Sequence, residues 1–272
     1  MRHLRSIALD SADSGDAADG GFPFDVPAVR GLRAAPLPFP APVTFLVGEN
    51  GSGKSTLLEG IACAAGSITV GSAPADRDPS LAAGQLLARS LRLVWTRRTK
   101  RGFFLRAEDF FNFARGVDRM RADYDADLRA VRDDPTLSAR AKSFAAMPFA
   151  RETGALRRRY GDGLDARSHG EAFLALFAGR LERGGLILLD EPEAPLSPAR
   201  QLSLLSLLMQ AVAGSDAQFI VATHSPILMA LPGAVIYQLD GEGMREVVWD
   251  QVEHVSLTRA FLNDPAAFLR HL

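Results

Sequence analysis

A single cysteine, Cys63, among 272 residues rules out an intramolecular disulfide and any metal site built from several thiolates. It lies in the apolar run LLEGIACAAG and is expected to be a buried structural thiol. No charge of either sign dominates. The 31 Lys and Arg stand against 32 Asp and Glu, a net charge of −1 that excludes wholesale electrostatic binding to nucleic acid but leaves room for a local basic patch. An uninterrupted membrane-length segment is missing too. Residues 219–239 hold no Lys, Arg, Asp or Glu, yet His224, Pro226, Pro232 and Gly233 divide them into strand, short helix and strand. A spanning helix needs about 20 consecutive, mostly apolar residues without such breaks, so this stretch is expected to be soluble core. The opening MRHLRSIALD reaches an aspartate too early for a secretory signal, which leads to the expectation of a cytoplasmic protein. Internal repeats, heptad arrays and long low-complexity tracts are also absent from the pattern.

What is present suits an α/β domain with an insertion. The 47% hydrophobic content is enough for a substantial core. DSADSGDAADGG (10–21) is small, polar and acidic and reads as a loop. VTFLV (43–47), GLILL (185–189), QFIVAT (218–223) and AVIYQLD (234–240) are strand-length apolar runs separated by helical patterns, which implies a parallel sheet with helices on its faces. LRLVW (91–95) and FFLR (103–106), joined by TRRTKRG, are expected to form a hairpin. From Glu108 to Arg132, Phe113, Val117, Met120, Tyr124, Leu128 and Val131 recur at helical spacing before Asp133-Asp134-Pro135 ends the pattern. Three parts are therefore expected: 1–107 and 166–272 as two portions of one core, and 108–165 as an inserted helical subdomain.

The strongest motif is GENGSGKST (48–56), which fits G-x-x-x-x-G-K-[ST] between a strand and a helix. Gly48, Gly51 and Gly53 let the backbone wrap phosphates so that the N–H groups of Gly48, Glu49, Asn50, Gly51, Ser52 and Gly53 turn inward, and the following helix adds its positive end. Lys54 is expected on the β- and γ-phosphates of ATP, Ser55 on Mg2+, and Thr56 near the α-phosphate. LILLDEPE (186–193) supplies the complement: Asp190 holds Mg2+, and Glu191 orients and deprotonates the attacking water. VATHSP (221–226) ends the next strand in His224, suited to a γ-phosphate contact. The catalytic candidates are thus Lys54, Glu191 and His224.

RSHGEAFLALF (167–177) opens an amphipathic helix, with Ser168 and Glu171 at the spacing of a reciprocal helix cap. The order of glycine-rich loop, Ser-x-Gly-Glu, Asp-Glu-Pro and strand-end histidine resembles the ABC-type ATPases over roughly residues 25–240. Within them it is most similar to small soluble ATPases of the SMC/RecF kind. The fold this implies is the P-loop NTPase sheet of an ABC ATPase head carrying an inserted helical subdomain. The resemblance also implies that Ser168, His169, Gly170 and Glu171 form the signature, which acts in trans on the γ-phosphate held by the P-loop of a second subunit. A homodimer closed by ATP follows from it. The match has departures: Arg167 and His169 replace a leucine and a glycine, and Ser197 stands where an aspartate is usual. No glutamine follows FFLR, so Glu108 is the candidate metal-side substitute. Phe22, Phe24 and Phe39 are open candidates for stacking on adenine, or for core.

Arg89, Arg92, Arg97, Arg98, Lys100, Arg101 and Arg106 form a stretch without an acidic residue, either a phosphate-backbone contact or a solvated turn. A nucleic-acid or protein effector is therefore open. The alternative implied by the resemblance is the ATPase subunit of an ABC membrane transporter, which would pair with a membrane subunit.

Overall fold

The apolar runs become the strands of two sheets. The computed structural model describes residues 2–10, 21–69, 74–160, 169–181, 184–241 and 243–270. In chain order the strands are β1 (Leu4–Leu9), β2 (Leu37–Pro38), β3 (Val43–Val47), β4 (Leu91–Trp95), β5 (Gly102–Arg106), β6 (Gly185–Asp190), β7 (Ala217–Ala222), β8 (Val235–Asp240) and β9 (Gly243–Val247). The larger sheet has the order β5-β6-β7-β3-β8-β9; its first five strands are parallel and β9 closes one edge antiparallel to β8. The smaller sheet, β2-β1-β4, is antiparallel.

The inner parallel strands of the larger sheet are apolar at successive positions because both of their faces are covered, whereas the edge strand β9 exposes Arg245 and Glu246. Phe45, Phe103, Ile187 and Phe219 point into one core, and their neighbours Leu46, Phe104, Leu188 and Ile220 into the other. The first core is completed by Phe173 and Phe177 of one helix, α6 (His169–Leu181), and by Leu204 and Leu208 of α7 (Pro198–Gly214). The second is completed by Leu57, Leu58 and Ile61 of α2 (Lys54–Ala65), by α1 (Pro27–Ala34) and by β1. Cys63 lies here, buried, its thiol pushed up to about 12 by desolvation.

The expected hairpin of 91–95 with 103–106 does not form, although both strands do. β4 pairs antiparallel with β1, and β5 pairs parallel with β6. The reason lies in the side chains. Phe103 and Phe104 are both buried on opposite faces, as a strand of the larger sheet requires, whereas Arg92 on β4 is exposed, as suits a sheet with one open face. The connecting basic turn therefore crosses between sheets.

The helical pattern from 108 to 132 is realised as α4 (Ala107–Asp133), which packs against α5 (Ala139–Tyr160). A short helix α3 (Ala82–Arg89) lies on α2. Residues 219–239 fold as β7, the one-turn α8 (Pro226–Met229) and β8, and among the described residues no helix is long and apolar enough to cross a membrane. The chain continues into α9 (Glu253–Asn263) and α10 (Pro265–Leu269).

Candidate functional site

Parallel strands deliver their carboxyl ends to one edge, so the residues that leave β3, β6 and β7 meet there. Past β3, Gly48 has φ 152°, and a Cβ on it would lie 2.2 Å from the Leu239 carbonyl oxygen. Gly53 has φ 91°, and its Cβ would fall 2.6 Å from Val26 Cγ2. Only glycine fits either position. Between them the loop curls over the start of α2, where Lys54 is 4% exposed. Its ammonium donates to the carbonyls of Gly48 at 2.7 Å and Glu49 at 3.0 Å. Burial pulls the lysine below its ordinary value, against the opposing pull of Glu191, Asp190, Glu49 and Glu193.

Ser55 Oγ donates to Asp190 Oδ1 at 3.1 Å, which ties the first turn of α2 to the end of β6. Desolvation pushes the Asp190 carboxyl up to about 7, with the Ser55 hydrogen bond opposing it and Glu191 and Glu59 adding to it. Glu191 is the one non-glycine with positive φ (48°) among the described residues, a conformation that costs of order 1–3 kcal/mol. Its carboxylate is half exposed and reaches 3.7 Å from His224 Nε2.

His224 follows β7. Its backbone N–H donates to Glu193 Oε1 at 2.7 Å, and its Nδ1 lies 3.1 Å from Nε2 of His254. Desolvation, aided by Lys54 and His254, holds the imidazole below its ordinary value, hence neutral at pH 7. His224 Nε2, Glu193 Oε2 and Ser52 Oγ are buried without hydrogen-bond partners. Orphaned polar atoms cost free energy unless a ligand or water meets them. A cavity of about 290 Å³ beside this loop is lined by Gly48, Asn50, Gln238, Asp240, Glu253 and His254, among others.

Two family models match this chain on either side of α4 and α5. One, "AAA domain", covers residues 28–104 and so includes the glycine-rich loop. The other, "AAA domain, putative AbiEii toxin, Type IV TA system", covers 172–230 and so includes Asp190, Glu191 and His224. Among solved structures, "an inward-facing conformation of a putative metal-chelate type ABC transporter" aligns over 97% of this chain and 90% of its own, with TM-score 0.50 and 17% identity. The fold is that of an ABC-type P-loop ATPase. An Smc head domain from Pyrococcus furiosus, bound to the C-terminal domain of ScpA, aligns over 91% and 96% at TM-score 0.46 and 13% identity. The ABC transporter component cbiO1 from Clostridium perfringens aligns over the full length of both chains at TM-score 0.45 and 16% identity. No curated relative matches the sequence significantly.

Lys54, Ser55, Asp190, Glu191 and His224 come together at this edge of the sheet, with Thr56 half-buried in the first turn of α2. The donor set fits Mg2+: a hydroxyl and a carboxylate already in contact are oxygen ligands of the kind that ion takes alongside phosphates. The stretch expected to form the signature is described only in part. Ser168 lies outside the described residues, as does the side chain of His169. Gly170 is buried, and a Cβ there would lie 3.3 Å from the Pro195 carbonyl and from Leu196; Glu171 is ion-paired with Arg200 of α7. Their described contacts thus run to the 195–200 segment and not to the P-loop of the same chain. The Glu108 side chain also lies outside the described residues.

Two corrections concern aromatics and the basic stretch. Phe24 and Phe39 are packed in the core, at 4% and 1% exposure, which withdraws them as adenine-stacking candidates and leaves Phe22 at 63%. Arg106 is no surface charge. It is buried, bonded to both Asp109 oxygens at 2.8 and 2.9 Å and to Ser80 Oγ, with Glu59 at 3.6 Å. Arg97 pairs with Asp216 at 3.2 Å; Arg89, Arg92, Arg98, Lys100 and Arg101 are exposed.

Sequence reasoning missed two residues of the site. Glu193 carried a signal, a third carboxylate in DEPE close behind a strand. His254 carried none: it comes 30 residues after its partner on a helix with no motif.

Proposed function

We propose that the protein binds ATP with Mg2+ and hydrolyses it to ADP and phosphate, as a soluble ABC-type ATPase. Its ATP-bound form is a head-to-tail homodimer coupled to a DNA or protein effector. One observation carries this reading: Lys54, the Ser55–Asp190 pair, Glu191 and His224 converge at the carboxyl edge of the parallel sheet, beside buried polar atoms with no partner.

Each residue has a task that its surroundings suit. The Lys54 ammonium, now folded onto the Gly48 and Glu49 carbonyls, turns to the β- and γ-phosphates. Backbone N–H groups from Gly48 to Gly53 and the start of α2 cradle the chain of phosphates. Ser55 and Asp190 would hold Mg2+, which would supply positive charge to offset that of the phosphates. Asp190 must shed its proton for this, which a value near 7 permits. Glu191, half exposed, orients a water and takes its proton as the water oxygen bonds to the γ-phosphorus. The bond from that phosphorus to the bridging oxygen then breaks, and ADP leaves. His224 Nε2 faces the same point and donates to the γ-phosphate. Ser168, His169, Gly170 and Glu171 supply the opposite wall from a second copy of the chain. That accords with Gly170 and Glu171 making their described contacts away from their own P-loop.

The test is the solution mass of Glu191→Gln by light scattering with and without Mg-ATP. A monomer that becomes a dimer only with Mg-ATP, and fails to when Ser168→Arg is added, is the expected result. A mass that stays monomeric while ATP is bound removes the homodimer from the proposal.

A further inference from the structure

The last part of the chain is fastened beside His224 by contacts that would otherwise be without purpose. Beyond its first turn α9 is exposed, yet Val252 and Val255 are buried in the core under the sheet. Trp249 Nε1 donates to the Pro226 carbonyl at 2.9 Å, and Arg259 lies 5.0 Å over the Trp249 ring while pairing with Asp250 at 2.7 Å. Together these hold the first turn of α9 beside Pro226, two residues past His224. His254 then stands edge-on to the His224 ring, with centroids 4.9 Å apart at 73° and Nε2 at 3.1 Å from Nδ1.

A hydrogen bond between two imidazole nitrogens needs one N–H and one lone pair, so it fixes a tautomer. His224 is faced by Lys54, Glu191, Glu193, Glu49 and His254. If His224 Nδ1 carried the proton, its Nε2 would turn a lone pair toward Glu191 Oε1, 3.7 Å away, and toward any phosphate beyond. That arrangement is repulsive. With the proton on Nε2 the same atom is a donor to either, and Nδ1 accepts from His254. Glu49 Oε1, 3.8 Å from His254 Nε2, favours an N–H on that nitrogen too.

We infer that His254 is a positioning residue of the nucleotide site: its Nε2–H donates to Nδ1 of His224 and so keeps the His224 proton on Nε2, aimed at the γ-phosphate. The inference rests on the ATPase reading, but its first consequence is visible without nucleotide. It also makes α9 part of the catalytic apparatus of its own subunit, so that removing α9 from the sheet would release the tautomer and slow turnover.

The test uses the full chain with 15N-labelled histidine. Long-range proton–nitrogen correlation of the apo protein is expected to show His224 protonated at Nε2 with Nδ1 as acceptor. His254→Phe keeps a ring of similar bulk and removes the donor. It is expected to give a mixture of His224 tautomers and a kcat lowered about 10- to 100-fold at nearly unchanged KM. His254→Gln, which restores an N–H, is expected to recover most of the rate. A wild-type His224 protonated at Nδ1 overturns the inference, as does wild-type kcat in His254→Phe. Should that variant fail to fold, the wild-type tautomer still decides. Should the wild type not hydrolyse ATP at all, the functional reading falls, and the tautomer measurement stands apart from it.

Discussion

The two ends of β7 carry one polar cluster each, and the clusters differ in how completely they are bonded. At the start, Gln218 Oε1 accepts the N–H groups of His3 and Leu4 at 2.8 and 2.7 Å, and its Nε2 donates to the Leu4 carbonyl at 2.8 Å. His3 stands between two carbonyl oxygens, Nε2 2.8 Å from that of Asp216 and Nδ1 3.3 Å from that of Arg97, so its ring N–H meets an acceptor in either tautomer. Asp216 Oδ1 is the exception there, on a residue partly open to solvent. At the other end His224 Nε2, Glu193 Oε2 and Ser52 Oγ have nothing to bond. His3 and Gln218 are fully buried and His224 and Glu193 half-buried, but the orphaned atoms of the second cluster are themselves shielded from water and both clusters contain a histidine, so residue type does not separate them. Completeness does. The first cluster ties the N-terminal strand to the sheet; the second leaves polar atoms without a partner, as the proposed phosphate site requires.

The largest effect should come from the open end. Lys54→Ala removes the one ammonium aimed into the phosphate loop and is expected to lower ATP turnover at least about 100-fold, measured by phosphate release. A wild-type rate would mean that the open cluster is not a phosphate site. The closed end should answer in stability alone. Gln218→Ala strands three backbone groups and is expected to cost about 2–4 kcal/mol, seen as a Tm lower by roughly 5–15 °C. ATP affinity well below that Tm should stay as in wild type; a large loss of affinity would erase the distinction between the two ends.

The smallest effect sharpens the comparison through pH. Asp190 keeps its proton up to about 7 in the folded chain, against 3.8 as its ordinary value. Its contribution to stability is therefore fully present below pH 4, falls as pH rises from there to about 7, and is then lost. Asp190→Asn is expected to raise Tm by a few degrees at pH 8 without nucleotide and to leave it almost unchanged at pH 4.5. An equal shift at both values would show that the carboxyl is not held protonated.

Most of the site could be read in advance because its parts are contiguous. The P-loop, Asp190-Glu191 and His224 each sit at the end of an apolar run, and parallel strands bring such ends together without further information. What escaped was pairing and distance. LRLVW and FFLR are strands, but which neighbour each takes depends on whether one or both faces are covered, a property of the assembled sheet. Gln218 meets His3 and Leu4 across more than 200 positions. His254 reaches His224 only because Trp249, Val252 and Val255 fasten the segment around it, and none of these forms a pattern by itself.

Arg106 sets where the long helices are free to swing. It stands opposite Asp190 in the β5–β6 register, and its guanidinium joins Glu59 of α2 to Asp109 in the first turn of α4. Separating one partner from a buried charge costs about 3–5 kcal/mol. The root of α4 is therefore riveted to the helix that follows the phosphate loop. Any pivot between the helical pair and the sheet lies beyond Asp109, and the base of that lever is coupled to α2 through one buried guanidinium.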